Sequence, residues 1–350
     1  MSIKGCIFRP KNHFSLKKGW INDPNGLVWF QGKYHLYFQC NPYSNNWDKM
    51  HWGHATSNDL IHWDECPPVL IPDEVYEDYD KGGCFSGSVV VSDNKIYAFY
   101  TAVALVDGVV LQRQCMAYSN DGYNFTKYEK NPVIESMGID FRDPKLWRDN
   151  EGIYWAVVGS RIADGSGQIL LFRSEDAFSW EYFSTLDENK NRFGKMWECP
   201  DFFELDGKHV LLTSPQDMLP VGFEYHNGNG NICFIGDFDK EKGKFKEQCN
   251  QAVDYGIDFY AHQTIETQDN RRVMIAWMQN WDACAIRAHD EAWAGQMTLP
   301  REIWIENNRL YQKPTKEYEN CLKNKVEYKG VEISQSKEVQ LEEINGRVLD

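Results

Sequence analysis

The ten cysteines of the 350-residue sequence include no C-x-x-C pair. Scattered from Cys6 to Cys321, they write neither a zinc knuckle nor a dithiol redox motif, and thiols that are mostly reduced and buried are expected. Positive charge is also in short supply: 37 Lys and Arg against 52 Asp and Glu leave a formal charge of −15. Such a field repels phosphodiester backbones and anionic membrane surfaces, so neither a nucleic-acid nor a membrane partner is expected. The opening residues, Met1 to Cys6 and on through Arg9, Lys11, Lys17 and Lys18, lack the apolar stretch that export or membrane insertion uses, which predicts a cytoplasmic location. Asn124-Phe125-Thr126 is then a chance match to a glycosylation acceptor. Nor does any stretch sustain a capped helical period, which argues against βα repeats.

Aromatic residues abound instead: 13 Trp, 18 Tyr and 19 Phe suit a β-rich core and stacking against sugar rings alike. Internal repetition decides the architecture. Ser57-Asn58-Asp59 with Trp63, Ser119-Asn120-Asp121 with Phe125, and Ser174-Glu175-Asp176 with Trp180 share the pattern S-[NE]-D-x-x-x-[WF], a turn followed by a strand. Between them, strand-like runs break at Gly32, Asn94, Gly152, Gly207 and Asn270 and then resume, as hairpins do when their turn needs positive φ. Five units of about sixty residues, each with two hairpins, predict an all-β, five-bladed β-propeller ending near Pro314. From Thr315 to Asp350 the chain is rich in Lys and Glu, with Val339, Leu341 and Ile344 as the clear apolar alternation, and reads as a linker plus the start of another strand.

The innermost strand of each blade opens at the same end of the central channel, so residues there converge. Ahead of the five turns stand Asn22-Asp23-Pro24, Phe85-Ser86-Gly87, Arg142-Asp143-Pro144, Glu198-Cys199-Pro200 and Asp258-Phe259-Tyr260. Proline suits an innermost strand with one unpaired edge. Asp23 or Asp143 alone could cap a turn, but three carboxylates converging on a narrow channel repel one another and lose solvation, a cost that points to chemistry. Two carboxylates flanking an acetal carbon are what glycoside cleavage requires, and crowding divides their roles by raising the pKa of the less solvated one.

At these residues the sequence resembles glycoside hydrolase family 32, the invertases, fructanases and sucrose-6-phosphate hydrolases. The likeness covers about Lys11 to Pro314 and is carried by Trp20-Ile21-Asn22-Asp23-Pro24-Asn25-Gly26, Phe85-Ser86-Gly87-Ser88, Phe141-Arg142-Asp143-Pro144, Trp197-Glu198-Cys199-Pro200-Asp201 and Asp258-Phe259-Tyr260-Ala261. The resemblance implies retaining hydrolysis of β-fructofuranosides with no cofactor and no metal. It also implies Asp23 as nucleophile, Glu198 as acid/base and Asp143 as transition-state stabiliser. Asn22, Gln39, Trp47, Phe85, Ser86, Arg142 and Trp277, with Trp20, Asp258 and Tyr260 from the motifs, match positions lining the fructose pocket. Trp47 and Trp277 could equally be core rings, and Arg142 could simply neutralise the acids.

A sugar such as sucrose, a phosphorylated sucrose or a short fructo-oligosaccharide is the expected small-molecule partner. The alternatives are fructosyl transfer by the same acids, or a non-catalytic fructan-binding propeller. Family members carry a C-terminal β-sandwich, of which Val339 to Asp350 resembles the opening. His51 and His54 are poor metal ligands, because i and i+3 side chains point to opposite faces of a strand. Gly228 and Gly230 mark a turn, since no Lys-Ser/Thr follows to make a phosphate loop.

Overall fold

The computed structural model describes residues 9–284, 292–324, 326–332, 334–336 and 338–340. Five sheets, built from consecutive stretches of chain, form the five blades of a β-propeller. Their innermost strands are Gly19–Phe30, Gly83–Ser92, Asp140–Arg148, Trp197–Leu205 and Tyr260–Glu266. Each begins near the same end of the channel and meets its neighbour through a hairpin. The turn positions expected from the sequence all have positive φ: Gly32 (85°), Asn94 (57°), Gly152 (88°), Gly207 (74°) and Asn270 (60°). At three of them the preceding residue, Gln31, Asp93 or Asp206, is left-handed as well. Two such residues in succession make a turn whose twist matches that of the flanking strands.

The repeated Ser-x-Asp motif is one structural device used three times. The Asp59 carboxylate accepts the backbone N–H groups of Ile61 (3.0 Å) and His62 (2.8 Å) and the Ser57 hydroxyl. Asp121 and Asp176 do the same for Tyr123 and Asn124, and for Phe178 and Ser179. These carboxylates satisfy the backbone donors of the turn that leads into the outermost strand.

Alternation along the strands gives each blade two apolar faces, and every seam between blades is a separate core. Phe99, Phe141 and Phe172 fill the seam between the second and third blades. Trp197, Phe202 and Phe234 fill the next. The ring closes where Phe14, Ile21, Leu36 and Phe38 of the first blade meet Ile265, Ile275 and Met297 of the fifth. A backbone bond from Met297 N–H to the Phe14 carbonyl (2.8 Å) and a short strand, Trp293–Ala294, complete the closure. That strand runs parallel to Gly19 and Trp20. The innermost strand of the first blade is therefore paired on both sides at its start; that of the second is bridged there too, Gly83 to Met50, and the other three lie at sheet edges. Pro24 lies beyond this pairing, where a missing N–H costs nothing.

Thr315 is buried, and Lys316–Glu319 forms one helical turn whose Tyr318 is buried too. The Glu317 carboxylate accepts two bonds from the Arg271 guanidinium, at 2.7 and 3.1 Å. The segment read as a linker thus begins as a docked piece of the fifth blade. Val339 is exposed; the expected strand beyond it, like Cys6, lies outside the described residues. Of the nine described cysteines, five are buried, and no disulfide joins any two of them.

Candidate active site

All five innermost strands carry a register shift near the channel entrance. In the third, fourth and fifth blades it has one form: the three-residue steps Arg142 to Lys145, Glu198 to Asp201 and Tyr260 to Gln263 each face a two-residue step on the neighbouring strand. The first blade shifts around Asp23 and Pro24, the second at Ser86. A bulge bends its strand and re-aims a side chain. Inside the bulges Asp143 (φ 65°), Cys199 (48°) and Ala261 (54°) are left-handed, a conformation that non-glycine residues adopt at a cost.

In this register Glu198 is equivalent to Arg142 and Tyr260, one residue before the position that Asp143 holds in its own bulge. Asp258 lies exposed ahead of its strand, and the fifth bulge presents Tyr260 to Glu198.

The three acids meet in one buried cluster. Asp23 accepts the Ser86 hydroxyl (2.6 Å) and the Asn22 amide (3.0 Å). Asn22 is held in turn by the indole N–H of Trp20 (2.7 Å). Asp143 accepts the backbone N–H of Cys199 (3.0 Å), and its own N–H is taken by Thr101 Oγ1 (3.0 Å). The Cys199 sulfur lies 3.6 Å from both Asp23 Oδ2 and Asp143 Oδ2 and bridges them. Glu198 is held on both oxygens: Oε1 by Arg142 Nε (2.8 Å), Oε2 by Tyr260 OH (2.5 Å) and Gln216 Nε2 (2.9 Å). Behind it, Arg142 also donates to Asp140 (2.8 Å) and Gln112 (3.2 Å).

Burial, reinforced by the charge of Glu198, raises Asp23 to about 6, with Ser86, Asn22 and Cys199 pulling the other way. Burial likewise lifts Asp143 to about 7; Glu198 and Asp23 add to the rise, and Arg142 opposes it. Burial works against the Arg142 charge, but Glu198, Asp143 and Asp140 outweigh it and keep the guanidinium protonated. Three carboxylates around a single guanidinium leave an excess of negative charge, which the cluster relieves by holding a proton near neutral pH.

Aromatic rings wall the entrance. Trp20, Tyr260 and Trp277 are fully buried, while Trp47, Phe85 and Trp281 are partly open. Trp277 is thus a core ring at the site's edge, and its indole N–H has no partner among the described residues. Trp47 packs edge-on against Phe85 (6.0 Å) and Trp281 (6.2 Å). Gln39 lies buried on the second strand of the first blade, its amide donating to the Cys84 carbonyl (3.0 Å). Residues that sequence reasoning missed include Cys199, Gln216, Gln112, Asp140 and Trp281. Two of them left a signal: Cys199 directly follows Glu198, and Asp140 lies two residues before Arg142 and so on the same strand face. No group of three His, Cys, Asp or Glu side chains is arranged to hold a metal among the described residues. His54 faces His35 (3.0 Å), whereas His51 faces the Lys49 carbonyl (3.1 Å).

The family model for the glycosyl hydrolases family 32 N-terminal domain matches residues 13–314. A sucrose-6-phosphate hydrolase of Escherichia coli is 40% identical over 330 residues, covering 91% of this chain and 66% of that protein. A raffinose invertase of Escherichia coli is 38% identical over 327 residues, 91% of this chain and 67% of that one. Among solved structures, a Bombyx mori GH32 beta-fructofuranosidase superposes with a TM-score of 0.83 at 40% identity, covering 91% of this chain and 68% of that chain. A mutant of the same enzyme in complex with sucrose superposes equally well, at 39% identity. The chain spans about two thirds of the length of these relatives. With a five-bladed propeller, the matched motifs and these relatives together, the chain belongs to glycosyl hydrolases family 32 and carries its N-terminal domain from residue 13 to residue 314.

Proposed function

We propose that the chain hydrolyses terminal β-D-fructofuranosides, with sucrose and its small relatives as substrates, and that it does so with retention of configuration. The observation that carries this reading is the contact of Asp23, Asp143 and Glu198 within one buried cluster, with Cys199 between the two aspartates. Ionised Asp23, oriented by Ser86 and Asn22, attacks the anomeric carbon while Glu198 protonates the departing glycosidic oxygen. A fructosyl ester on Asp23 results. Glu198, now a carboxylate, takes a proton from water as that water attacks the same carbon, and Asp23 leaves as a carboxylate. Asp143 accepts fructose hydroxyls and opposes the positive charge that builds on the ring.

Tyr260, Gln216 and Arg142 hold Glu198 at three points, so its carboxyl is fixed before substrate arrives, as a proton donor in a tight transition state needs to be. The named activities of the relatives, on raffinose, sucrose 6-phosphate and β-fructofuranosides, support the substrate class. Release of glucose and fructose from sucrose, sucrose 6-phosphate, kestose and inulin, compared side by side, tests the reading. Hydrolysis of at least one is expected. Binding without turnover on all four refutes it, and a product longer than the substrate assigns transfer instead.

A further inference from the structure

The residue two places after each left-handed bulge position is polar and points to the same spot. Asp143 is followed by Lys145, Cys199 by Asp201 and Ala261 by Gln263. Lys145 Nζ lies 3.1 Å from Asp201 Oδ1, donates to Gln263 Oε1 (2.8 Å) and reaches the Thr264 carbonyl (3.3 Å). Asp201 Oδ2 accepts the Thr264 N–H (2.7 Å), and Gln263 Nε2 donates to the Gly87 carbonyl (3.2 Å) of the second blade. Four of the five innermost strands are thereby joined across the channel by one network. Asp201 and Gln263 are buried, and the Lys145 side chain is only 12% exposed.

Below this network the channel widens into a cavity of about 790 Å³ lined by Lys145, Asp201, Thr264, Arg272, Trp29 and Trp147. The network is thus the floor between the acid cluster and the far mouth. A buried ion pair is a poor device for stability alone, since well-packed apolar side chains of the same volume serve as well or better. What it supplies is direction: hydrogen bonds that set how far apart particular strands stand, immediately below residues whose backbone is strained.

We infer that Lys145, Asp201 and Gln263 are positioning residues for the fructoside chemistry, clamping the three bulged strands so that Asp143, Glu198 and Tyr260 stand at fixed separations around the sugar. This rests on the reading proposed above. None of the three is assigned a contact with substrate. Their effect passes through the strands that carry the reacting groups, and a displacement of about 1 Å there is worth about a hundredfold in rate.

Two uncharged variants test it. The double variant Lys145→Met/Asp201→Asn removes the ion pair without leaving a bare charge, and its Asn carbonyl can still accept the Thr264 N–H. Gln263→Met cuts the links to Lys145 and Gly87 while leaving the pair intact. Steady-state kinetics on sucrose, beside circular dichroism and thermal melting of the same preparations, should show kcat lowered about 10- to 100-fold in the double variant and about 3- to 10-fold in Gln263→Met, with KM within about threefold of wild type. A merely structural role predicts fewer folded molecules with normal kcat per folded site. A folded double variant with kcat within twofold of wild type overturns the inference and leaves the fructosidase reading standing. If the double variant does not fold, Gln263→Met decides alone by the same criterion. A folded wild-type protein without activity on any of the four sugars overturns both.

Discussion

Replacing Asp23 by Asn should make the protein at once inactive and more stable. Burial holds the Asp23 carboxyl at about 6, against an ordinary 3.8. The native state therefore binds this proton more tightly than the unfolded chain does, and the stability that Asp23 allows falls as pH rises from about 4 to about 6. Above that interval the cost is fully present. A shift of about two units corresponds to about 3 kcal/mol. Asn carries no charge to desolvate, and the Ser86 hydroxyl that donates to Asp23 can accept from an amide instead. Exchange of the charge-assisted bonds for neutral ones returns about 1 kcal/mol of the gain, leaving about 2 kcal/mol at pH 7. For a chain of this size, with unfolding entropy near 2 cal/mol/K per residue, that is a rise in Tm of about 3 °C. The assay is thermal melting of both proteins from pH 4.5 to 7.5. The Tm difference should be near zero at the acid end and grow towards neutrality. A difference that does not change with pH, or a variant that melts below wild type at pH 7, refutes the argument. Sucrose hydrolysis by the variant should fall by several orders of magnitude; a tenth of wild-type kcat would remove Asp23 from the nucleophile's role.

If Asp23 must be ionised to attack, kcat/KM for sucrose should decline below about pH 6, and the pH profile of the free enzyme reads this directly. Glu198→Ala should nearly abolish sucrose cleavage yet spare fructosylation by a fructoside with an activated leaving group, with azide accelerating turnover. Asp143→Ala should impair both substrates alike without azide rescue, and the opposite pattern would exchange the two roles. Deletion from Thr315 should leave the protein about 2–3 kcal/mol less stable than deletion from Lys323. The larger loss follows because it removes the buried Tyr318 and the Arg271–Glu317 pair. Equal melting of the two truncated proteins would contradict the docked helical turn.

The blade count was legible because a type of turn enforces its own residues: Gly32, Asn94, Gly152, Gly207 and Asn270 stand where a side chain with a Cβ is disfavoured or where Asn tolerates positive φ. The acids were legible because three of the units carry one near the start of the innermost strand. The bulges were not, for nothing about Ala261 or Cys199 as residue types announces a left-handed conformation; their surroundings impose it. Counting back from a proline or a motif gives the strand but not the residue by which a bulge advances the register, and that register brings Tyr260 to Glu198. Gln216 and Gln112 reach the cluster from second and third strands, where sequence spacing to the acids carries no information.

The parallel pairing of Trp293–Ala294 with Gly19 and Trp20 has a consequence for biogenesis. During synthesis the first innermost strand emerges about 270 residues before the segment that covers its edge. At roughly 5–20 residues per second, that edge waits about 15–55 s on the ribosome. Through this interval Trp20 and Ile21, both fully buried in the finished ring, have no fifth blade against which to pack. An uncovered strand edge beside large apolar side chains is a template for association with other nascent chains. The ring should accordingly show a yield limited by closure rather than by the stability of any blade, and a circular permutant opened between two other blades should shift the vulnerable edge without altering the site.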